Sequence, residues 1–250
     1  AAFMLNEQRR KNPLLPLSIF RVPGLAAANV TQLIAIAGFL AVFFFLTLYM
    51  QNVLGYSPIQ TGLAYLPVTA GVGIAAGVSS QVLSRIGTRP VIVAGSLLAA
   101  AGVYDLSRIP VEGSYATDLL PGLVVMSIGL GAVFVAVTTA ANAGVPADKA
   151  GLAAALLNAS QQVGGALGLA IFSALATSRT SDLLASHTPP AEALTSGFQR
   201  ALLVSSIFLV AAAVVALRAT NTRGEEQPPG TENAPDAQPV TPEPAVSSTY

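Results

Sequence analysis

An all-α membrane protein, a bundle of six transmembrane helices, is the fold this sequence predicts, on three observations. Of the 250 residues 53% are hydrophobic and only 10% are charged, too few charges to cover the surface of a soluble domain. Six apolar stretches each approach the length, about 17 to 25 residues, that lets a helix cross the roughly 30 Å hydrocarbon core. Stretches such as LIAIAGFLAVFFFLTLY and ALLVSSIFLVAAAVVAL are apolar all round, whereas the helices of a soluble protein with an apolar core keep a polar face.

The spans fall at about 26–49, 59–82, 91–109, 119–141, 151–176 and 199–217. The gaps QNVLGYSP, SRIGTRP, PVEGSY, NAGVPADKAG and TSRTSDLLASHTPPAEALTSG carry the Gly, Pro, Ser, Asn and charge that mark turns. An even number of spans leaves both ends on one side of the membrane, and the Lys and Arg count sets which side. Arg9, Arg10, Lys11, Arg21, Arg85, Arg89, Lys149, Arg218 and Arg223 share a side against Arg108, Arg179 and Arg200, so both termini of the segment are expected to be cytoplasmic. Residues 1–25 read as a cytoplasmic connector. From Arg218 to Tyr250 the chain reads as a disordered cytoplasmic tail, with five acids, no base and many prolines after Arg223. The chain begins with Ala and opens with no signal-peptide pattern, which suggests a fragment of something longer.

Inside lipid the polar and small residues carry the information, because acyl chains are as apolar as leucine. On the first span Asn29, Gln32, Phe39 and Phe43 fall on or near one stripe, a pattern for a wall against a flat hydrophobic substrate or for a lipid-facing aromatic surface. In the second, Gly73 and Gly77 form a GxxxG pair behind Pro67, so a kinked, closely packed helix is expected. The fourth offers Met126 and Phe134 with Gly129 and Gly131 between them, compatible with a flexible cavity wall. The fifth is richest. Gly164 and Gly168 form a second GxxxG pair for helix packing, while Asn158 and Gln161, near mid-depth, suit either a polar cavity lining or hydrogen bonding between helices. Asp105 is the one acid inside an apolar run, close to the outer end of the third span, and is a weak candidate for proton coupling.

Enzyme chemistry is not expected. The chain has no cysteine and a single histidine, His187, in a polar loop. It has no phosphate-binding Gly-rich loop ending in Lys and Ser or Thr, no HExxH and no GxSxG. No cofactor or metal site is indicated, and zero net charge points away from a nucleic-acid partner.

Three stretches in this order, FFFLTLYMQNVLGYSPIQTGLAYLP, LSRIGTRPVIVAG and LNASQQVGGALGLAIFSALA, resemble the C-terminal half of a major facilitator superfamily exporter, of the fourteen-span drug:proton antiporter family. The likeness covers about residues 12–217. It implies one half of a major facilitator fold, partnered by a missing N-terminal helix bundle and rocking against it around a central site. By that analogy the first and fourth spans line the cavity, the second and fifth meet the other bundle, and the third and sixth lie outside. The connector holding Arg85, Gly87 and Arg89 resembles the family's cytoplasmic loop motif, which implies a gating role beside plain topology anchoring. It departs from that motif in having no acid between the glycine and the second arginine. The resemblance implies a plasma-membrane efflux transporter that exchanges protons for hydrophobic or amphipathic small molecules, such as drugs or antibiotics. A membrane module that binds a partner through its glycine faces, and a uniporter or importer of the same fold, are the alternatives.

Overall fold

A computed structural model of the chain describes residues 24–143, 145 and 149–223. Of the connector expected over 1–25 only residues 24 and 25 are described, and of the tail expected over 218–250 only 218–223 are; the rest of both lies outside the described residues. Six helices are long and apolar enough to cross a membrane: α1 Leu25–Asn52, α2 Pro58–Ile86, α3 Thr88–Leu106, α4 Tyr115–Asn142, α5 Ala150–Ala185 and α6 Pro190–Ala216. Among the described residues there is no strand.

Local chemistry sets the ends of these helices. Ser57 starts α2 through a reciprocal capping box: its hydroxyl accepts from the Gln60 N–H at 3.3 Å, and Gln60 Oε1 accepts from the Ser57 N–H at 2.8 Å, with Pro58 at the first helical position, where its missing N–H costs nothing. The expected kink in α2 appears as an interruption at Tyr65, between Pro58–Ala64 and Leu66–Ile86. Pro67 has no N–H to continue the ladder and its ring crowds the preceding turn. A π-helical turn, Tyr115–Leu119, opens α4, where the Asp118 carboxylate accepts from the Ser114 N–H at 2.7 Å.

One expectation is corrected. The stretch TSRTSDLLASHTPPAEALTSG is not a long loop: α5 runs on to Ala185, α6 starts at Pro190, and the turn between them is only four residues, with His187 at φ 61°. Its serines and threonines read as turn formers. The hairpin pairs them across helices, with Thr180 Oγ1 donating to the Ala193 carbonyl at 3.2 Å and Arg179 Nε to Ser196 Oγ at 3.2 Å.

Helix packing is ordered by a hidden symmetry. α1 packs on α5 and α6, α4 packs on α2 and α3, and the two trios join through α3 against α6 and α1 against α4. Exchanging α1 with α4, α2 with α5 and α3 with α6 maps these contacts onto one another, with the exception of the α5–α6 hairpin, which packs far more closely than its counterpart α2–α3. Each repeat has three spans, so the repeats run in opposite directions through the membrane. Glycines let the backbones approach. A Cβ on Gly102 or Gly129 of the α3–α4 pair would overlap backbone of the facing helix, and on Gly95 or Gly122 it would press on a backbone oxygen or side chain there. Burial is nevertheless uneven. About half of the most apolar window is covered in α1 (56%), α3 (50%) and α4 (50%), but only 28% in α5 and 17% in α2.

Candidate functional site

Polar side chains on α1 face α5. Asn29 is buried, its amide nitrogen donating to the Leu25 carbonyl at 2.9 Å and its oxygen accepting from Ser160 Oγ of α5 at 2.9 Å. Gln32, one turn on, is buried as well. Gly164 and Gly168 bring α5 onto this face of α1, because a Cβ on either would overlap the carbonyl oxygen of Leu33 or Ala37. Of the other polar residues on α5, Gln161 is half-buried at the edge of the seam and Asn158 is exposed. Ser160, which makes the bond across the seam, was not singled out from the sequence. Its neighbours Asn158 and Gln161 were more conspicuous, and a lone serine in an apolar helix gives little signal.

The aromatic stripe of α1 builds a second feature. Phe39 and Phe43 meet edge to face at 4.7 Å, and Phe43 packs on Tyr65 of α2 at 5.0 Å. The Tyr65 hydroxyl lies 3.1 Å from both Thr47 Oγ1 and the Phe43 carbonyl, so the break in α2 is held against α1. Half-buried rings with satisfied hydroxyls form an apolar surface with a few fixed polar points, the composition of a small-molecule wall. Met126 is placed elsewhere. It is fully buried against α3, beside the site where a Cβ on Gly102 would overlap its backbone. Phe134 is half exposed on the open side of α4. Gly129 and Gly131 pack against α3 and α2 respectively, not along a free wall.

At the opposite end of α3 from Leu106, the connector between α2 and α3 reaches an unexpected partner. Gly87 sits at φ 88°, a left-handed backbone that glycine tolerates, and any Cβ there would overlap the Asn221 side chain. Asn221 follows α6 and caps two helices at once. Its Nδ2 donates to the Ile86 carbonyl at 3.2 Å, ending α2, and its Oδ1 accepts from the Arg89 N–H at 3.0 Å, starting α3. The Thr222 carbonyl accepts from the Thr88 N–H at 2.7 Å. Neither helix has a side-chain cap of its own at this point, so the segment after α6 supplies it. Arg85 and Arg89 are both exposed around this clasp. Thr220 reaches Gly24 at the start of α1, which puts both described ends of the chain on one side of the bundle.

Asp105 is exposed in the last turn of α3. Among the described residues no Asp, Glu, Lys, Arg or His side chain is buried, and no group of three or more His, Asp or Glu is placed to hold a metal.

Comparison with known proteins agrees with this architecture. The family model for the Major Facilitator Superfamily matches residues 5–169. The chain is 37% identical over 218 residues to a puromycin resistance protein of Streptomyces alboniger, covering 84% of this chain and 42% of that protein. It is 37% identical over 183 residues to a tetracenomycin C resistance and export protein of Streptomyces glaucescens, covering 73% and 34%. To a cephamycin export protein of Amycolatopsis lactamdurans it is 35% identical over 218 residues, covering 86% and 43%. The chain thus spans less than half the length of these relatives, which are resistance or export proteins rather than enzymes. With a family match across most of the chain and a six-helix bundle of inverted repeats, this chain belongs to the major facilitator superfamily.

Proposed function

We propose that the chain is one helix bundle of an exporter that carries hydrophobic or amphipathic small molecules, antibiotics among them, out of the cell by alternating access in exchange for protons. The observation that carries this reading is the bareness of α2 and α5, whose apolar windows are only 17% and 28% buried. In a machine of two bundles these are the faces that meet and slide against the other one. Resistance to or export of three chemically unrelated antibiotics among the relatives supports the substrate class.

In this reading Phe39 and Phe43 of α1 contribute the aromatic wall of the substrate path, while Asn29 and Gln32, buried behind it, hold α1 in place. Phe134 on the open side of α4 and Gln161 and Asn158 on α5 border it, and Met126 acts from behind through α4 packing. Arg85, Gly87 and Arg89 form the cytoplasmic hinge, with both ends of the segment in the cytoplasm of a plasma-membrane protein. Asp105 is the candidate proton carrier in this bundle. Because it is exposed near a helix end, a buried acid in the other bundle is the stronger place for that role.

Cells producing the complete exporter should retain less of a fluorescent dye than cells without it. Collapse of the proton gradient should abolish the difference. Equal retention of every dye tried, with the protein present in the membrane, contradicts the reading. Efflux that survives collapse of the gradient removes the antiport step.

A further inference from the structure

At the end of the bundle formed by the α5–α6 hairpin, α3, α5 and α6 line an open pocket of about 650 Å³ that plays no part in the proposed transport path. Two guanidinium groups line it, Arg179 of α5 and Arg200 of α6, and its lining includes no Asp or Glu. Arg179 is half-buried and held by one bond from Nε to Ser196 Oγ, which leaves the outer edge of its planar fork to bind an anion. Arg200 is exposed beside it. Gln199 donates to the Ile109 carbonyl at 2.7 Å, which ties the end of α3 to α6 and fixes the floor. Two guanidinium groups lining one pocket, with no carboxylate among its lining residues, suit phosphate oxygens.

The pocket is not simply an anion hole, because Leu203 and Val204 complete its wall. From Leu203 an apolar stripe continues along α6 at helical spacing through Ile207, Val210 and Val214, with exposures of 41%, 57%, 43% and 57%. From Leu203 to Val214 the stripe is about 16 Å long, close to the roughly 15 Å depth of one leaflet. Arg200 stands about 27 Å by helical rise from Arg218 at the far end of α6, close to the roughly 30 Å hydrocarbon core, which sets the arginines near headgroup height with an acyl-length track beneath them.

We propose that this pocket binds an anionic phospholipid, its phosphate between Arg179 and Arg200 and an acyl chain along Leu203, Ile207 and Val210. The site lies on the α3–α6 side, away from the bare faces of α2 and α5, and does not depend on the transport reading.

The chain has no tryptophan, so Ile207→Trp introduces a single local reporter on an exposed position. In phosphatidylcholine vesicles doped with bromine-labelled phosphatidylglycerol, its fluorescence should be quenched at mole fractions where bromine-labelled phosphatidylcholine has little effect. Arg179→Gln with Arg200→Gln should raise the phosphatidylglycerol fraction needed by roughly 30-fold, and Arg200→Gln alone by roughly fivefold. The single variant changes only an exposed side chain, so its loss reads binding rather than folding. Equal quenching by the two lipids, or unchanged quenching in both variants, overturns the proposal. Reversal of the quenching by millimolar inorganic phosphate also overturns it, because the site is then one for a free anion.

Discussion

Two glycine pairs with the same four-residue spacing meet opposite surroundings in this bundle. Gly164 and Gly168 of α5 press into the backbone of α1, with no room for a Cβ, whereas Gly73 and Gly77 of α2 have nothing within 4 Å. The spacing makes a smooth groove on either helix. What fills the groove depends on the rest of the protein. In α5 the polar seam of Asn29 and Ser160 lies one turn before the glycines and aligns the two helices. Along Leu66–Ile86 of α2 the buried residues are Val68, Ala75, Ser79 and Leu83, one stripe of a helix that otherwise looks outward, which is why we assign its glycine side to a second bundle.

Substituting the glycines breaks this comparison most sharply. Gly168→Leu forces a side chain into the Ala37 carbonyl, and overpacking against backbone that cannot yield costs about 3 kcal/mol or more. Thermal unfolding of the purified chain in detergent should show a large drop or failure to fold. A near-neutral result would mean that α5 and α1 are not in contact.

A second contrast sets the two ends of the bundle against each other, since one end is closed by the Asn221 clasp. Gly87→Ala places a Cβ at positive φ and into Asn221, with an expected loss of about 2 kcal/mol. Asn221→Ala removes both caps and should cost about 1 to 2 kcal/mol. In the double variant the clash is gone, so the two losses should fall short of adding. Strict additivity in unfolding measurements would show that the residues do not touch.

The smallest effect is expected where the comparison began. Gly73→Leu should leave the stability of the isolated chain within about 0.5 kcal/mol of the parent, yet it should abolish efflux by the complete exporter. Loss of stability in the isolated chain would place α2 against one of its own neighbours instead.

The membrane fold was legible because it rests on length and composition. Each expected span lies on one of the six helices with ends shifted by a few residues, save at the α5–α6 hairpin, where Ser and Thr hide a helix. Gly164 and Gly168 were visible as a pattern, and so, in hindsight, is the seven-residue spacing of Gly95 with Gly102 and of Gly122 with Gly129 that seats α3 on α4. The clasp was not legible. Asn221 stands 132 residues from Arg89, in a polar stretch that resembles any helix exit, and nothing local marks it as a cap for another helix pair. For the same reason Met126 and Phe134 could not be told apart in the sequence: the two residues lie on one apolar helix whose inner and outer sides are chemically alike, so only packing separates the buried one from the exposed one.

The α2 face offers the most direct test. The chain has no cysteine, and Ile74, on the bare face of α2, is 69% exposed. Ile74→Cys, coupled in denaturant to a photoreactive maleimide and returned to vesicles, should label lipid heavily when the chain is present alone, and should lose that labelling when the remaining helices of the exporter are reconstituted with it. Equal labelling in both cases would contradict the assignment of this face to a second bundle, and with it the reading of the chain as half of a transporter.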